Sequence, residues 1–552
     1  MAASAAKRQN DRFTKSEKSW ILYDWANSVY ATNMMAAIFP IYYAGVAGEQ
    51  GDRWWGIGVS AASLVVALLA PLLGSIGDAR GMKKKFLVGF LVLGVGFTAV
   101  TAFVDDWRWM LIGYALSHIG YAGANVFYDA FLIDVTTGDR MHRVSAWGYA
   151  MGYLGGSTIP FVLSIAYLLS TGFSVKAVKF SILLTCVWWA VFSLPLLKNV
   201  RQVHGVDAPA LRLARNSLHT LRGTMRKIKN RRGLLFFLLA YFFYIDGVGT
   251  VISLATNYGA TLGLGSAGMV VALLVTQLVA VPCSILFSKL AEQIGSIRMI
   301  TIAIAVYFAI CGVGFFMGRN VEPYQLEYAS RIPDVRSYDL SDAQDRRALN
   351  TVFDDLREDG KHALAAADPV AAFSSIGEDG TETGVIGDIL SRLRSGSSCY
   401  PFSGDAARKQ AADIVEELRP ALLAFAGDQE GARSYARALK VSSHLFWLMA
   451  VLVGTVQGGI QSLSRSYFGR LIPPENAAEY FGFFDIFGKF AAVIGPVLYA
   501  VFYIATRRAS IGILSLMALF FTGGVLLSVG RPHLRAAEGE AARHRPSENP
   551  PI

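Results

Sequence analysis

The sequence is poor in charged residues for its length. Charged side chains make up 17% of its 552 residues, and its mean hydropathy is +0.40, whereas about a quarter of the residues in a soluble protein are charged. Repeated apolar runs of roughly 20 residues, each long enough to cross a lipid bilayer, account for the shortfall. The composition therefore excludes an ordinary soluble protein and indicates a chain with many membrane spans.

The sequence also has little cysteine and no nucleotide-binding loop. Four cysteines (Cys186, Cys283, Cys311 and Cys399) lie far apart, so the sequence offers no disulfide framework and no metal-ligand spacing. It contains no G-x-x-x-x-G-K-(S/T) string, and nothing therefore indicates ATP use. We expect no catalytic residue, no metal, no cofactor and no enzymatic activity.

Twelve apolar runs have the length and composition of transmembrane helices. Their pattern predicts an all-α membrane protein whose twelve transmembrane helices form two six-helix halves. The spans are predicted at 18–46, 54–77, 84–104, 107–134, 142–170, 174–198, 232–262, 264–290, 296–318, 441–466, 477–504 and 508–530.

Changes in polarity divide the chain into five units. Residues 319–440 are too polar to cross a membrane, because they contain 15 Lys plus Arg and 21 Asp plus Glu. We predict that they form an inserted, soluble, mainly helical domain, which is either a tolerated surface insertion or a regulatory or partner-binding unit. The other units are an N-terminal half at 1–198, a basic linker at 199–231, a C-terminal half at 232–318 and 441–530, and a tail at 531–552.

Basic residues concentrate in alternate loops. Short loops rich in Lys and Arg remain on the cytoplasmic side of a membrane. We therefore predict a multi-pass protein of a bacterial inner (plasma) membrane, with both termini in the cytoplasm and the insert outside. Lys83, Lys84 and Lys85 follow the second span, Arg140 and Arg143 follow the fourth, and a run from Arg222 to Arg232 precedes the seventh.

The loop between the second and third spans contains a glycine-punctuated basic string. It reads Gly74-Ser75-Ile76-Gly77-Asp78-Ala79-Arg80-Gly81-Met82-Lys83-Lys84. The string resembles the G-x-x-x-D-(R/K)-x-G-x-(R/K)-(R/K) signature of the major facilitator superfamily and departs from it only at Ala79. The resemblance implies the major facilitator fold, and we expect Asp78 to cap or brace helix ends. We assign a gating role to Gly74, Asp78, Gly81, Lys83 and Lys84.

The chain also repeats itself weakly. Ser288-x-x-x-Glu292-x-x-Gly295-x-x-Arg298 occupies the loop between spans 8 and 9, 214 residues after the string that begins at Gly74. Gly123, Asn125 and Asp129 of the fourth span align with Gly459, Gln461 and Arg465 of the tenth at a constant offset of 336. Both matches fall at equivalent spans, which supports two halves in parallel repeat.

Two regions of the sequence narrow the resemblance to the vacuole-effluxer-like branch of the superfamily. The first is Trp20–Thr32, which runs on to Phe39–Tyr43. The second runs from Gly458–Phe468 through Leu471–Pro474 to Glu479–Asp485 and Gly488-Lys489, with Gly148-x-x-x-Gly152-Tyr153-x-Gly155-Gly156 in support. The resemblance covers all twelve spans but not the insert. Eukaryotic members are described as vacuolar amino-acid effluxers, whereas bacterial members mostly lack an assigned substrate. The resemblance thus implies transport more firmly than it implies a cargo.

Polar residues follow helical spacing in spans 1, 4, 7 and 10. Polar groups that face lipid are costly, so these stripes should face a wet cavity or one another. The resemblance implies that these four spans line the central cavity. For Asp246 a coupling role and a structural hydrogen bond both remain open. Asp24 either pairs with a cation or caps a neighbour, and His118 is either a proton relay or a hydrogen-bonded packing residue. The candidate substrate or coupling residues are Asp24, Asn27, His118, Asn125, Asp129, Asp246, Gln457 and Gln461.

Three further charged residues are candidate gate elements. Arg465 ends the polar stripe of span 10. Asp485 and Lys489 are four residues apart in span 11 and therefore share a helix face, where we expect an ion pair. That pair serves either a gate or the structure alone.

The stripes and the resemblance together predict a secondary active transporter that works by alternating access. The expected cargo is a small solute, amino acids in an efflux direction being our first choice. Proton-coupled efflux of drugs or sugars is the alternative within transport, and a non-transporting receptor or assembly factor that works through the insert is the alternative outside it. The expected partners are the small-molecule substrate, the lipid bilayer and protons as candidate coupling ion, with no nucleic acid; an extracytoplasmic partner of the insert stays open.

The predicted orientation leads to a labelling test. Cys399 of the insert should react with a membrane-impermeant thiol reagent in spheroplasts, because the insert is expected outside. A cysteine introduced at Ser217, in the basic linker, should react only after the membrane is permeabilised. Labelling of Ser217→Cys in intact spheroplasts, or protection of a tag at residue 380 from external protease, would contradict the topology.

Overall fold

The computed structural model describes residues 12–171, 174–264, 266–328 and 429–544, together with two short strands. The strands, β1 (Ser375–Ile376) and β2 (Glu382–Thr383), pair antiparallel. Most of the predicted insert, including Cys399, lies outside the described residues, so its predicted helical domain stays a prediction.

The rest of the described chain is almost entirely helical. Two π-helical segments, Ala31–Ala36 and Gly152–Thr158, and a 3₁₀ turn, Pro474–Asn476, adjoin the α-helices. The α-helices are α1 (Lys15–Tyr30), α2 (Ile38–Gly77), α3 (Met82–Thr101), α4 (Trp107–Ala130), α5 (Leu132–Val135), α6 (Met141–Met151), α7 (Ile159–Ser170), α8 (Val175–Asn199), α9 (Ala210–Asn230), α10 (Arg232–Thr261), α11 (Ser266–Ile294), α12 (Ser296–Tyr328), α13 (Gln429–Leu471), α14 (Ala477–Thr506), α15 (Ala509–Ser515) and α16 (Met517–His544).

Ten helices within the described ranges are long and apolar enough to cross a membrane. The fourth predicted span contains α4, and the first covers most of α1, the π-helical segment that follows it and the start of α2. Neither is among the ten, and both contain part of the predicted polar stripes. The all-α membrane fold is confirmed, whereas the count of twelve spans stays a prediction.

Helix α2 folds back on itself and joins the first two predicted spans. Sixteen residues separate Phe39 from Trp55, a distance of about 24 Å along a straight helix. Their ring centroids nevertheless lie 6.0 Å apart, and the ring of Tyr43 lies 5.0 Å from that of Trp55. The chain therefore reverses direction between Tyr43 and Trp55, as two consecutive antiparallel spans require.

The two helices that flank the insert continue beyond their predicted spans. Helix α12 extends past residue 318 to Tyr328, and α13 begins before residue 441, at Gln429. Their extensions pack together, because Tyr324 stacks on Tyr435 at 5.5 Å and the Asn320 amide donates to the Ala438 carbonyl at 2.9 Å. Because these extensions pair with each other, both helices continue beyond their apolar spans into polar sequence.

The halves meet along a few helix pairs. Helix α2 packs along α14, and α6 packs along α11 and α13. Gly74 and Gly482 allow the first of these contacts: a Cβ added at Gly74 would lie 2.4 Å from the Ala478 carbonyl oxygen, and one at Gly482 would lie 2.7 Å from that of Ala70. Residues distant in sequence are thereby brought to one boundary.

The pairing of α3 with α4 generates a stability prediction. A Cβ added at Gly120 would lie 2.2 Å from the backbone nitrogen of Gly94, and backbone atoms cannot move aside as a flexible side chain can. We expect Gly120→Ala to destabilise the protein by about 1–3 kcal/mol, measured as a lower thermal midpoint in detergent. Gly89→Ala on α3 is the control, since nothing lies within 4 Å of its added Cβ. Equal midpoints for the two variants would contradict the packing.

Candidate functional site: an ion cluster between the two halves

One arginine from the C-terminal half is buried against two carboxylates of the N-terminal half. Arg465 lies near the end of α13, Asp24 lies in α1, and Asp129 lies near the end of α4. The Arg465 Nη2 atom is 3.1 Å from Asp24 Oδ2, and its Nη1 atom is 3.0 Å from Asp129 Oδ1. Arg465 is 3% exposed, so the ion pairs lie within the protein and join its halves. These three residues are called the inter-half ion cluster below.

The Arg465 guanidinium donates two further hydrogen bonds to Ser145. Its Nε donates to Ser145 Oγ at 3.0 Å, and its Nη2 donates to the Ser145 carbonyl at 3.1 Å. The rings of Trp20, Tyr128 and Tyr149 lie 4.7, 5.5 and 4.4 Å from its guanidinium carbon, within the range of cation–π attraction. A buried cation is tolerated only with such pairing.

Asp129 and Arg465 are repeat-related residues that contact each other. They occupy equivalent positions of the predicted repeat, 336 residues apart. Their contact therefore joins equivalent positions of the two predicted repeats.

Asp78 forms a second contact between the halves. It directly follows α2. Its Oδ1 atom accepts a hydrogen bond from the backbone N–H of Ala478 at 2.8 Å, and its Oδ2 atom accepts one from the backbone N–H of Glu479 at 3.0 Å. These donors belong to the first turn of α14, whose N-terminus favours an anion. Burial raises the pKa of the Asp78 carboxyl to about 8, although Lys83 and the two donors oppose the shift. This is the helix-end contact that the sequence predicted, now with its partner identified.

A third contact, which the sequence analysis missed, centres on His142 at the start of α6. Its Nδ1 atom is 2.7 Å from Ser466 Oγ, and its Nε2 atom is 2.9 Å from Ser296 Oγ and 2.8 Å from Arg470 Nη1. Because arginine can only donate, Nε2 accepts and the ring proton lies on Nδ1. His142 thus links the N-terminal half to three residues of the other half in its neutral form.

Lys83 and Lys84, by contrast, contact the N-terminal half and the linker. Lys83 Nζ forms a fully buried ion pair with Asp134 Oδ2 at 2.6 Å, and Lys84 Nζ donates to the Val200 carbonyl at 3.0 Å. Asp134 also accepts hydrogen bonds from the backbone N–H groups of residues 203 and 204. Gly81 supplies the left-handed turn before α3, with φ 77°. These residues attach the start of the linker to the N-terminal half.

Three further candidates make contacts inside one half. Asn27 donates to Asn125 at 2.6 Å, and His118 Nε2 lies 3.4 Å from Ser63 Oγ. Asp246 is buried and accepts the Gly495 N–H at 2.9 Å. These contacts leave their predicted binding or coupling roles as predictions.

The tenth and eleventh spans hold the last candidates. Gln457 is buried and Gln461 is half-buried. The Lys489 side chain lies outside the described residues, so its pairing with Asp485 stays a prediction. Among the described residues, no group of His, Cys, Asp and Glu side chains is arranged to hold a metal ion.

The three contacts described above lie at one end of the bundle. This end contains the last turns of α2, α4 and α13 and the first turns of α6, α12 and α14. It is also the end that carries the basic loops, and it is called the basic end below. The structure therefore shows a state in which the halves are joined and closed at the basic end.

Solved structures with a similar fold are membrane transporters. The major facilitator superfamily transporter FucP in the outward conformation has a TM-score of 0.54 and 11% identity, covering 94% of this chain and 97% of that one. A bacterial homologue of the iron transporter ferroportin has a TM-score of 0.52 and 11% identity, covering 95% and 98%. The fold is that of a major facilitator superfamily transporter, a multi-pass integral membrane protein.

Sequence relatives define the family. The chain matches the family described as "Vacuole effluxer Atg22 like" over residues 133–321 and 442–533. It is 35% identical over 531 residues to an uncharacterized MFS-type transporter, YxiO, of Bacillus subtilis strain 168, covering 94% of this chain and 95% of that protein. It is 25% identical to autophagy-related protein 22 of Yarrowia lipolytica over 136 residues, 21% of this chain and 23% of that protein. The chain belongs to the vacuole effluxer Atg22-like family.

The inter-half ion cluster generates a stability prediction. Arg465→Gln leaves two carboxylates without their cation, and breaking a buried pair in this way costs about 3–5 kcal/mol. We expect the lower part of that range, because the Asp129 side chain retains 25% exposure. The thermal midpoint in detergent should fall, and adding Asp24→Asn and Asp129→Asn to the same chain should recover much of the loss.

The exposed ion pair of Lys179 with Asp105, at 2.7 Å, provides the control for this measurement. Lys179→Gln should change the midpoint little, since exposed pairs contribute about 0–1 kcal/mol. A midpoint of Arg465→Gln equal to that of Lys179→Gln would show that the cluster does not hold the halves together.

Proposed function

We propose that this protein is a secondary active transporter that works by alternating access, with the basic end as its cytoplasmic gate. The observation that carries the proposal is the inter-half ion cluster, in which Arg465 of one half is buried against Asp24 and Asp129 of the other. A contact of this kind holds one end shut only while the halves are together. Rocking the halves apart returns all three charges to water.

The charge of the cluster favours an ion-linked cycle. It contains two carboxylates and one guanidinium, so one negative charge lacks a cation within the cluster. Asp129 is the more accessible carboxylate, with a side chain 25% exposed against 11% for Asp24. A proton or a cationic group of the cargo that reaches Asp129 would weaken its hold on Arg465 and favour opening.

We propose amino acids as the cargo, in an efflux direction, with protons as the coupling ion. Membership of the Atg22-like family and the polar residues of α1, α4, α10 and α13 support this choice. Asp246 is the proposed coupling carboxylate, because it is buried in the middle of α10. The proposed location is a bacterial inner membrane with both termini in the cytoplasm.

Transport by purified protein in lipid vesicles tests this proposal. Labelled amino acids should accumulate when a pH gradient is imposed across the vesicle membrane. Asp246→Asn keeps the size of the side chain but removes its titration, so gradient-driven accumulation should be lost. Exchange of cargo at equilibrium should persist if Asp246 carries the proton, and should fail if it binds the amino group of the cargo.

Asp105→Asn is the matched control, because Asp105 is exposed and lies at the opposite end from the basic loops. It should transport at the wild-type rate. Normal gradient-driven accumulation by Asp246→Asn would leave Asp246 as a packing residue. If the wild-type protein moved no amino acid under either gradient direction, the proposal that its cargo is an amino acid would be wrong. Movement of sugars or drugs instead would favour the alternative, proton-coupled efflux of drugs or sugars.

A further inference from the structure

Helix α9, in the linker between the halves, is basic and amphipathic. Residues 210–230 contain six Lys and Arg residues and no Asp or Glu. All six are exposed: Arg212, Arg215, Arg222, Arg226, Lys227 and Lys229. The ion pairs described above do not involve this helix.

One side of α9 rests on the bundle at the basic end. Thr224 and Ile228 are buried, and the Thr224 hydroxyl hydrogen-bonds the Glu479 carboxylate in the first turn of α14. The helix also packs along α2 and α10. These contacts hold α9 against both halves, next to the backbone N–H groups of Ala478 and Glu479 that donate to Asp78.

The opposite side of α9 combines charge with exposed apolar surface. At about 100° per residue, Arg212, Arg215, Arg222 and Arg226 fall within about 80° of the helix surface. Leu211 lies about 20° from the edge of this strip, and Met225 lies about 60° from it, between the strip and Ile228. Leu211 is 83% exposed and Met225 is 57% exposed. Arginines beside exposed leucine and methionine are the pattern of a helix that lies in a membrane interface.

The position of α9 places that surface at the membrane. The helix ends at Asn230, and Arg232 begins α10, which is among the helices able to span a bilayer. The proposed orientation sets this end at the cytoplasmic leaflet, whose anionic lipids attract clustered Lys and Arg near the surface. We propose that α9 binds the anionic lipid headgroups of this leaflet through its arginine strip, with Leu211 and Met225 entering the acyl boundary.

Topology alone does not account for this arrangement. The positive-inside rule requires basic residues in a loop, but not their alignment on one side of a helix or an apolar edge beside them. The proposal concerns lipid binding and does not depend on transport or on the identity of the cargo. Its test therefore fails or succeeds separately from the transport assay.

A fluorophore on α9 tests the proposal in the full-length protein. Met225→Cys is introduced in a Cys399→Ser background and labelled with bimane. Of the three other cysteines, Cys186 and Cys311 are buried and Cys283 is half-buried. The same background without Met225→Cys measures the labelling of these cysteines, which is subtracted. The protein is placed in nanodiscs of phosphatidylcholine alone or mixed with phosphatidylglycerol, each with nitroxide-labelled lipid. We expect several-fold stronger quenching in the phosphatidylglycerol discs, and its loss in high salt, which screens surface charge.

Two charge variants separate a lipid-binding face from general attraction. R212Q/R215Q/R222Q/R226Q should reduce quenching to the phosphatidylcholine level. K15Q/K18Q/K85Q/R535Q removes the same charge from exposed residues elsewhere at the basic end, and it should leave quenching unchanged. Equal loss in both variants, or equal quenching in both kinds of disc, overturns the proposal. A response to a soluble RNA oligomer without any response to phosphatidylglycerol would assign the strip to nucleic acid and overturn it as well.

Discussion

Burial of the Arg465 guanidinium is the constraint on which the closed state depends. A cation this far from water requires carboxylates and hydrogen-bond acceptors around it, because desolvation costs several kcal/mol per ion. Asp24 and Asp129 provide the charge, Ser145 provides two acceptors, and aromatic rings complete the walls. Since all of these groups belong to the other half, Arg465 is satisfied only when the two halves meet at the basic end.

The other contacts at this end follow from the same geometry. Where α13 is held against α1 and α4, the end of α2 meets the start of α14. Asp78 there accepts hydrogen bonds from two backbone N–H groups of α14, which an isolated helix would leave unpaired. The linker begins on the N-terminal half, held by the buried pair of Lys83 with Asp134. Beyond that attachment α9 packs along α2 and α10, so the linker contacts both halves at the basic end.

Sequence reasoning identified the members of the cluster without pairing all of them. Asp129 and Arg465 stood out as equivalent positions of a repeat, and Asp24 was expected to face a cavity. Their mutual contact was not predicted, because it joins residues 336 and 441 positions apart. His142 and Asp134 were missed altogether, since each is a single polar residue near a helix end with no periodic pattern around it.

The sequence by itself determined the class of the protein, its helical membrane architecture and the family to which it belongs. These properties follow from hydropathy, spacing and short motifs, which act locally and can be read along the chain. Only the tertiary structure decided which charges neutralise one another, that Lys83 and Lys84 secure the linker, and which end of the bundle is closed. Those outcomes depend on how two halves pack, because the free energy of a buried charge is set by its neighbours in space.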